Sequence, residues 1–317
     1  PHRLPASAYR LLAMALLVLP LAVPVRPAHA QPAGASRLLR ASDLDTLSLR
    51  DAGRRIAYGD DSLHFGELRL PPGLRSGARA PVAVVIHGGC WISSFATLRN
   101  TAALADALAA NGVATWNVEY RRADHPGGGW PGTFTDIARA ADHLRVLARE
   151  YPLDTARVVA VGHSAGGHLA LWLAGRPSLP AGTPLSSAAP LRLTGVVSLG
   201  GVTDLEEFVG RMPSGCGRGA SMLLGGPLAS LPDRVALASP IRRLPLGVPT
   251  AHVAGAQDGI APEPVRAAYA RAAVAAGDAP PANVTVPGGH FEVNAPRTAA
   301  GAEAIRQTRR LLGMTPP

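Results

Sequence analysis

The chain of 317 residues is 47% hydrophobic and 17% charged, which suits a globular protein with a sizeable core and excludes a disordered or fibrous one. Its formal charge is +9, but all 31 basic residues are arginines scattered along the chain with no dense run, so the charge gives no reason to expect a nucleic-acid partner. At the start, Arg3 and Arg10 precede an apolar run from Leu11 to Val25, and Ala28-His29-Ala30 gives the small-x-small pattern before Gln31. Residues 1–30 therefore read as a secretory signal peptide cleaved before Gln31. The run is shorter than the roughly 20 apolar residues a membrane span requires, and Pro20 and Pro24 interrupt it. The expected location is exported, periplasmic or secreted, with no membrane insertion after processing.

Residues 31–52 are polar and read as an irregular segment. From 53 to 317 short apolar runs alternate with longer amphipathic ones, the order of strands and helices around a mostly parallel sheet, so the expected fold class is α/β. Strands are predicted at 63–70, at 81–87, where Val and Ile dominate, at 113–120, and at 157–161. Helices are predicted at 98–110 and at 134–150, where Ile137, Ala141, Leu144 and Leu147 recur at helical spacing, and at 165–174 directly after the fourth strand. Later strands are expected at 193–199, 249–254 and 283–286, and helices at 264–276 and 299–312. Residues 205–246 break the alternation with Gly, Pro, Arg and Ser, and are expected to form a small cap over the active face.

Gly162-His163-Ser164-Ala165-Gly166 matches Gly-x-Ser-x-Gly at a strand-to-helix junction, where the glycines permit a sharp turn that lifts the serine hydroxyl out of the sheet. Ser164 is the candidate nucleophile. A serine hydroxyl is too weak an acid to attack unaided, so it needs a base within reach and an acid to orient that base. The partners follow in the chain order Ser, acid, His. His290, in Pro287-Gly288-Gly289-His290-Phe291, is the one histidine beyond Asp258 and follows the last strand, which makes it the expected base. Asp258 and Asp204 both follow strands. Asp258 is favoured as the acid, because Asp204 leads into the cap and suits a helix cap.

A tetrahedral intermediate needs N–H donors for its oxyanion. The amide of Ala165 is one expected donor, and Gly89 and Cys90 in His87-Gly88-Gly89-Cys90-Trp91 are the others. His87 is expected to brace that loop, and His163 and His168 to brace the turn. Trp91 is a candidate substrate-binding residue able to stack on an aromatic group; packing beneath the loop is its other reading. Cys90 and Cys216 can pair in an oxidising compartment and tie the cap to this loop, or remain free thiols.

Taken together, His87-Gly88-Gly89-Cys90-Trp91, Gly162 to His168, Asp258 and His290 resemble the HGG-x-W branch of the α/β-hydrolases, over roughly residues 60–312. The Val118-Glu119-Tyr120-Arg121 segment is similar as well. That branch includes kynurenine formamidase-like and feruloyl or carboxyl esterase-like enzymes. The resemblance implies an α/β-hydrolase fold with a small cap and a serine hydrolase of the carboxylesterase kind. Cys90 departs from the usual aromatic or small residue, and HGG-C differs from the HGGG of the hormone-sensitive-lipase type. The expected reaction is hydrolysis of small carboxylic esters through an acyl-enzyme on Ser164. An arylformamidase acting on an amide and a non-catalytic binding protein of the same fold are the alternatives. The sequence shows no metal-ligand set, P-loop or dinucleotide fingerprint, so no metal or other cofactor is expected, and the partner is a small-molecule ester or amide.

Overall fold

The computed structural model describes His2 and residues 37–315. The expected apolar leader and its cleavage site lie outside the described residues. Among the described residues, eight strands form one sheet: β1 (Arg54–Ala57), β2 (Phe65–Arg69), β3 (Ala80–Ile86), β4 (Ala114–Val118), β5 (Leu153–His163), β6 (Gly195–Leu199), β7 (Thr250–Gly255) and β8 (Ala282–Val286). Their spatial order is β1-β2-β4-β3-β5-β6-β7-β8. β1, β2 and β4 pair antiparallel, and every other neighbouring pair is parallel. This is the α/β-hydrolase architecture the sequence led us to expect, with the mostly parallel sheet flanked by helices.

The central strands are apolar on both faces because both faces are covered. On β3, Val82, Val84 and Ile86 enter one core, while Ala83 and Val85 enter the other. The first core lies against α3 (Gly132–Asp142), α4 (Leu144–Glu150) and α5 (Ala165–Gly175), through Ile137, Ala141, Leu144, Leu169 and Leu173. The second lies against α2 (Arg99–Ala110) and α10 (Ala299–Leu311), through Leu104, Leu108, Ala300 and Ala304.

Several elements differ from the sequence expectation. The helix expected at 134–150 is two helices, α3 and α4, joined at His143; there the Asp142 carboxylate binds the Arg176 guanidinium at 2.8 Å and the Leu191 N–H at 2.7 Å. The segment 31–52 is not irregular throughout, since Ala41–Asp45 forms a short helix, α1, that buries Leu44. The stretch 205–246 holds α6 (Leu205–Arg211), α7 (Cys216–Leu224) and α8 (Pro232–Ala238), and α9 (Glu263–Ala275) follows β7. Leu205, Phe208, Leu223, Leu224 and Val235 join the first core, so the stretch expected to form a cap is packed into the domain. Among the described residues no helix is long and apolar enough to cross a membrane.

Candidate active site

The parallel register aligns the carboxyl ends of β5, β6 and β7, where a site on such a sheet forms. Ile86 pairs with Gly162, His163 with Leu199, and Leu199 with Val253. Ser164 follows β5 at φ 57° and ψ −119°, a region that side chains rarely occupy, and α5 starts at the next residue. Its N–H donates to the Leu199 carbonyl at 2.9 Å, which ties the strained residue to the neighbouring strand. The flanking glycines are required by the close approach of backbone. A Cβ on Gly162 would lie 2.0 Å from the Gly166 carbonyl oxygen, and one on Gly166 would lie 2.1 Å from that of Ile86.

Asp258 and His290 come together from the loops after β7 and β8. His290 Nδ1–H donates to Asp258 Oδ2 at 3.0 Å. The other oxygen, Asp258 Oδ1, accepts the N–H groups of Ile260 at 2.8 Å and Ala261 at 3.2 Å. Burial pushes the Asp258 carboxyl up, but His290 and those N–H groups outweigh it and hold the acid below its ordinary range. With Nδ1 committed as a donor, His290 Nε2 is the nitrogen that can accept a proton. Gly200, at φ 55°, leaves room for the pair: a Cβ there would lie 2.5 Å from Asp258 Oδ2 and 3.0 Å from His290 Nδ1. Asp204, the other acid weighed from sequence, accepts the N–H groups of Glu206 and Glu207 and caps α6.

The loop after β3 approaches the serine from the other side. A Cβ on Gly88 would come within 2.9 Å of Ser164 Cβ. Gly89, Cys90 and Trp91 all have positive φ, at 99°, 53° and 58°. Among the described residues the N–H groups of Gly89, Cys90 and Ala165 have no backbone acceptor, and Ala165 opens α5, where the helix dipole favours negative charge. The loop is held from below. The His87 ring meets the Gly88 carbonyl and the Glu119 carboxylate, each at 2.8 Å, and the Tyr120 hydroxyl donates to the His87 carbonyl at 2.9 Å. Arg122 binds Glu119 as well. Burial raises the Glu119 carboxyl, yet His87 and Arg122 pull it to about 2.

Trp91 sits inside the fold, fully buried, with its ring edge-on to His168 at 5.2 Å and to Phe208 at 6.2 Å. A ring in that position fills the space beneath the loop and turns no face to solvent, so the stacking role weighed from sequence gives way to packing. Cys90 and Cys216 form a disulfide with a Cα–Cα distance of 4.7 Å, joining the loop to the first turn of α7. Gly219, one turn on, lets α7 press against the loop, since a Cβ there would lie 2.1 Å from the Cys90 carbonyl oxygen. Two contacts escaped the sequence reading because no motif encodes them. Arg211 on α6 donates to the carbonyls of Gly259 at 2.7 Å and Ile260 at 2.8 Å, gripping the Asp258 loop from the cap. His163 Nε2–H donates to the His290 carbonyl at 2.9 Å. Among the described residues no group of three or more His, Cys, Asp or Glu side chains is suited to hold a metal ion.

Comparison with known proteins gives a family and a set of structural relatives. The family model BD-FAE matches residues 68–263. No curated protein matches the chain. Among solved structures, a truncated carbohydrate esterase from gut microbiota superposes with a TM-score of 0.70 at 20% identity, covering 83% of this chain and 98% of that one. A bifunctional GH43-CE protein of Bacteroides eggerthii gives a TM-score of 0.68 at 23% identity; the match covers 84% of this chain but only 36% of that longer protein. Esterase 2 of the planctomycete Thermogutta terrifontis, with propionate bound, gives 0.66 at 20% identity over 83% of this chain and 94% of that one. At these identities the superpositions speak to the fold, while the family match spans from β2 to the start of α9 and takes in the serine turn. The chain belongs to the BD-FAE family, within the α/β-hydrolases.

Proposed function

We propose that the protein is an exported serine hydrolase that cleaves small carboxylic esters through an acyl-enzyme on Ser164. The observation that carries this reading is the hydrogen bond from His290 Nδ1 to buried Asp258, 3.0 Å long, at the same carboxyl-terminal end of the parallel strands as a serine strained on its turn. In the reaction, Ser164 Oγ attacks the ester carbonyl and its proton passes to His290 Nε2. Asp258 keeps the ring in the Nδ1–H tautomer and stabilises the imidazolium that forms. The tetrahedral oxyanion is received by the N–H groups of Ala165, Gly89 and Cys90. Collapse breaks the bond to the alcohol oxygen, which takes the proton from His290 as it leaves. Water then attacks the acyl-enzyme, gives its proton to His290, and the acid departs as Ser164 recovers its hydrogen.

The relatives favour an ester over a formamide. The gut-microbiota neighbour is a carbohydrate esterase, and Thermogutta terrifontis esterase 2 has been captured with propionate and, separately, phosphonylated by sarin. An ester on a carbohydrate is therefore the first substrate class to assay. Export rests on the arginine, apolar and small-x-small pattern of residues 1–30, and a secreted protein whose mature N-terminus is Gln31 would agree with it.

The deciding test is labelling with a fluorophosphonate probe alongside hydrolysis of p-nitrophenyl acetate and of an N-formyl arylamine. Wild type should take one label and cleave the acetate faster than the formamide. Ser164→Ala should take no label and lose nearly all turnover while remaining folded. A Ser164→Ala protein that kept a tenth of the wild-type rate would require another nucleophile.

A further inference from the structure

His163 is the residue between the sheet and the proposed nucleophile, and it reaches the proposed base. It is the last residue of β5, is 2% exposed, and shares a peptide bond with Ser164. Its Nε2–H donates to the backbone carbonyl of His290 at 2.9 Å, and its ring lies 4.6 Å from the His290 ring, tilted by 40°. The base stands on a loop that needs such a hold. Gly288 and Gly289 precede it, Gly288 at φ 124°, and glycines give a loop little stiffness of its own. Glu292 fixes the near side by accepting the Gly289 N–H at 2.9 Å, and Asp258 fixes the ring at Nδ1. Neither bond sets the distance from the His290 backbone to β5, on which the serine stands. The bond from His163 does.

We propose that His163 is a positioning residue which, through its Nε2–H, holds the His290 backbone in register with Ser164. The inference rests on the triad proposed above. The chemistry of the side chain suits this task. A carbonyl can only accept, so the ring must present a proton at Nε2. Burial, more than the nearby His290, pulls the His163 imidazole down to about 3, so it stays neutral across the working range and adds no positive charge beside His290 when that ring takes up the serine proton. A lysine or arginine could supply the donor but would oppose the imidazolium.

The test compares His163→Leu and His163→Phe, which remove the donor at two different sizes, with His163→Gln, which keeps an N–H. A packing defect separates Leu from Phe, whereas loss of the donor does not. For p-nitrophenyl acetate, kcat should fall about 10- to 100-fold in both Leu and Phe, with KM within about twofold of wild type, because the reacting groups are misplaced while binding survives. His163→Gln should recover most of kcat. A second readout needs no substrate: the low-field His290 Nδ1–H resonance of the uniformly ¹⁵N-labelled protein should shift or broaden in Leu and Phe and return in Gln. Leu and Phe variants with wild-type kcat would overturn the proposal, and so would a Gln variant no better than Leu. If wild type neither hydrolyses esters nor takes the fluorophosphonate, the hydrolase reading fails. The His290 resonance still decides the present proposal then, since an unchanged signal across the three variants overturns it.

Discussion

At the scale of single residues, the two acids weighed from sequence occupy different structural positions, and the difference is measurable. Asp258 is buried, bonded to His290 and to two N–H groups; Asp204 sits at the start of α6 and accepts from Glu206 and Glu207. Asp258→Asn should lower kcat on the order of 10³- to 10⁴-fold by favouring the wrong imidazole tautomer. Asp204→Ala should leave kcat near wild type and cost about 1 kcal/mol of stability as a lost cap; the reverse ranking in the same assays would move the acid to Asp204. Glu119 carries a prediction in pH. Its carboxyl lies at about 2 in the fold against an ordinary 4.5, because His87 and Arg122 outweigh its burial. A lowered folded-state value means the unfolded chain binds the proton first, so the stabilisation is complete above about 4.5 and is lost as pH falls towards 2. Its size is on the order of 3 kcal/mol. Urea midpoints should therefore separate wild type from Glu119→Gln most at pH 7, and the gap should shrink to roughly half by pH 3. A gap that stays constant across that range would contradict the assignment.

At the scale of elements, legibility followed periodicity and the residues that break it. β3 was readable because Val and Ile run unbroken where both faces of a strand are covered, and the turn at Ser164 because Gly162 and Gly166 have no room for a Cβ. β1 was missed, since Arg54-Arg55 on an exposed antiparallel edge has no apolar pattern. The helices within residues 205–246 were not delimited from sequence, because glycines interrupt them. Yet Gly219 is there so that α7 can lie on the Cys90 carbonyl, a tertiary requirement that helix propensity cannot register. The same contact brings Cys216 beside Cys90, to which it is disulfide-bonded. The disulfide closes a loop with a sequence separation of 126, for which chain-entropy reasoning gives about 3 to 5 kcal/mol. Cys216→Ser should lower the unfolding free energy by that order, and adding Cys90→Ser should cost little more, because either change alone removes the same bond. Denaturant unfolding of the two single variants and the double variant checks this: single losses that summed in the double would mean the cysteines act separately.

At the scale of the whole molecule, the distribution of apolar side chains carries a prediction about which acyl groups the proposed enzyme should accept. Ser164, Asp258 and His290, the proposed triad, were picked out from three short segments at loop positions, whereas nothing in the sequence describes the shape of a pocket, because that depends on where the side chains of residues 205–246 point. Leu205, Phe208, Leu223 and Leu224, four of the large apolar residues of the cap, are fully buried in the main core. Phe208 packs edge-on to Trp91, and Trp91 is itself buried. These side chains are spent on holding the cap to the sheet and are not free to line a long groove. At the outer surface of the cap stand Arg211, whose guanidinium grips the Asp258 loop, and Arg218 and Arg242, all exposed. An acyl chain gains about 0.8 kcal/mol for each methylene it buries, so a long chain is selected only where an apolar groove continues to receive it. With that surface turned inward, the gain should stop after a few carbons. Across p-nitrophenyl esters from acetate to palmitate, kcat/KM should peak at or below about four acyl carbons and then fall. A kcat/KM that climbed steadily beyond about eight carbons would require the cap to open and release Phe208 and its neighbours from the core.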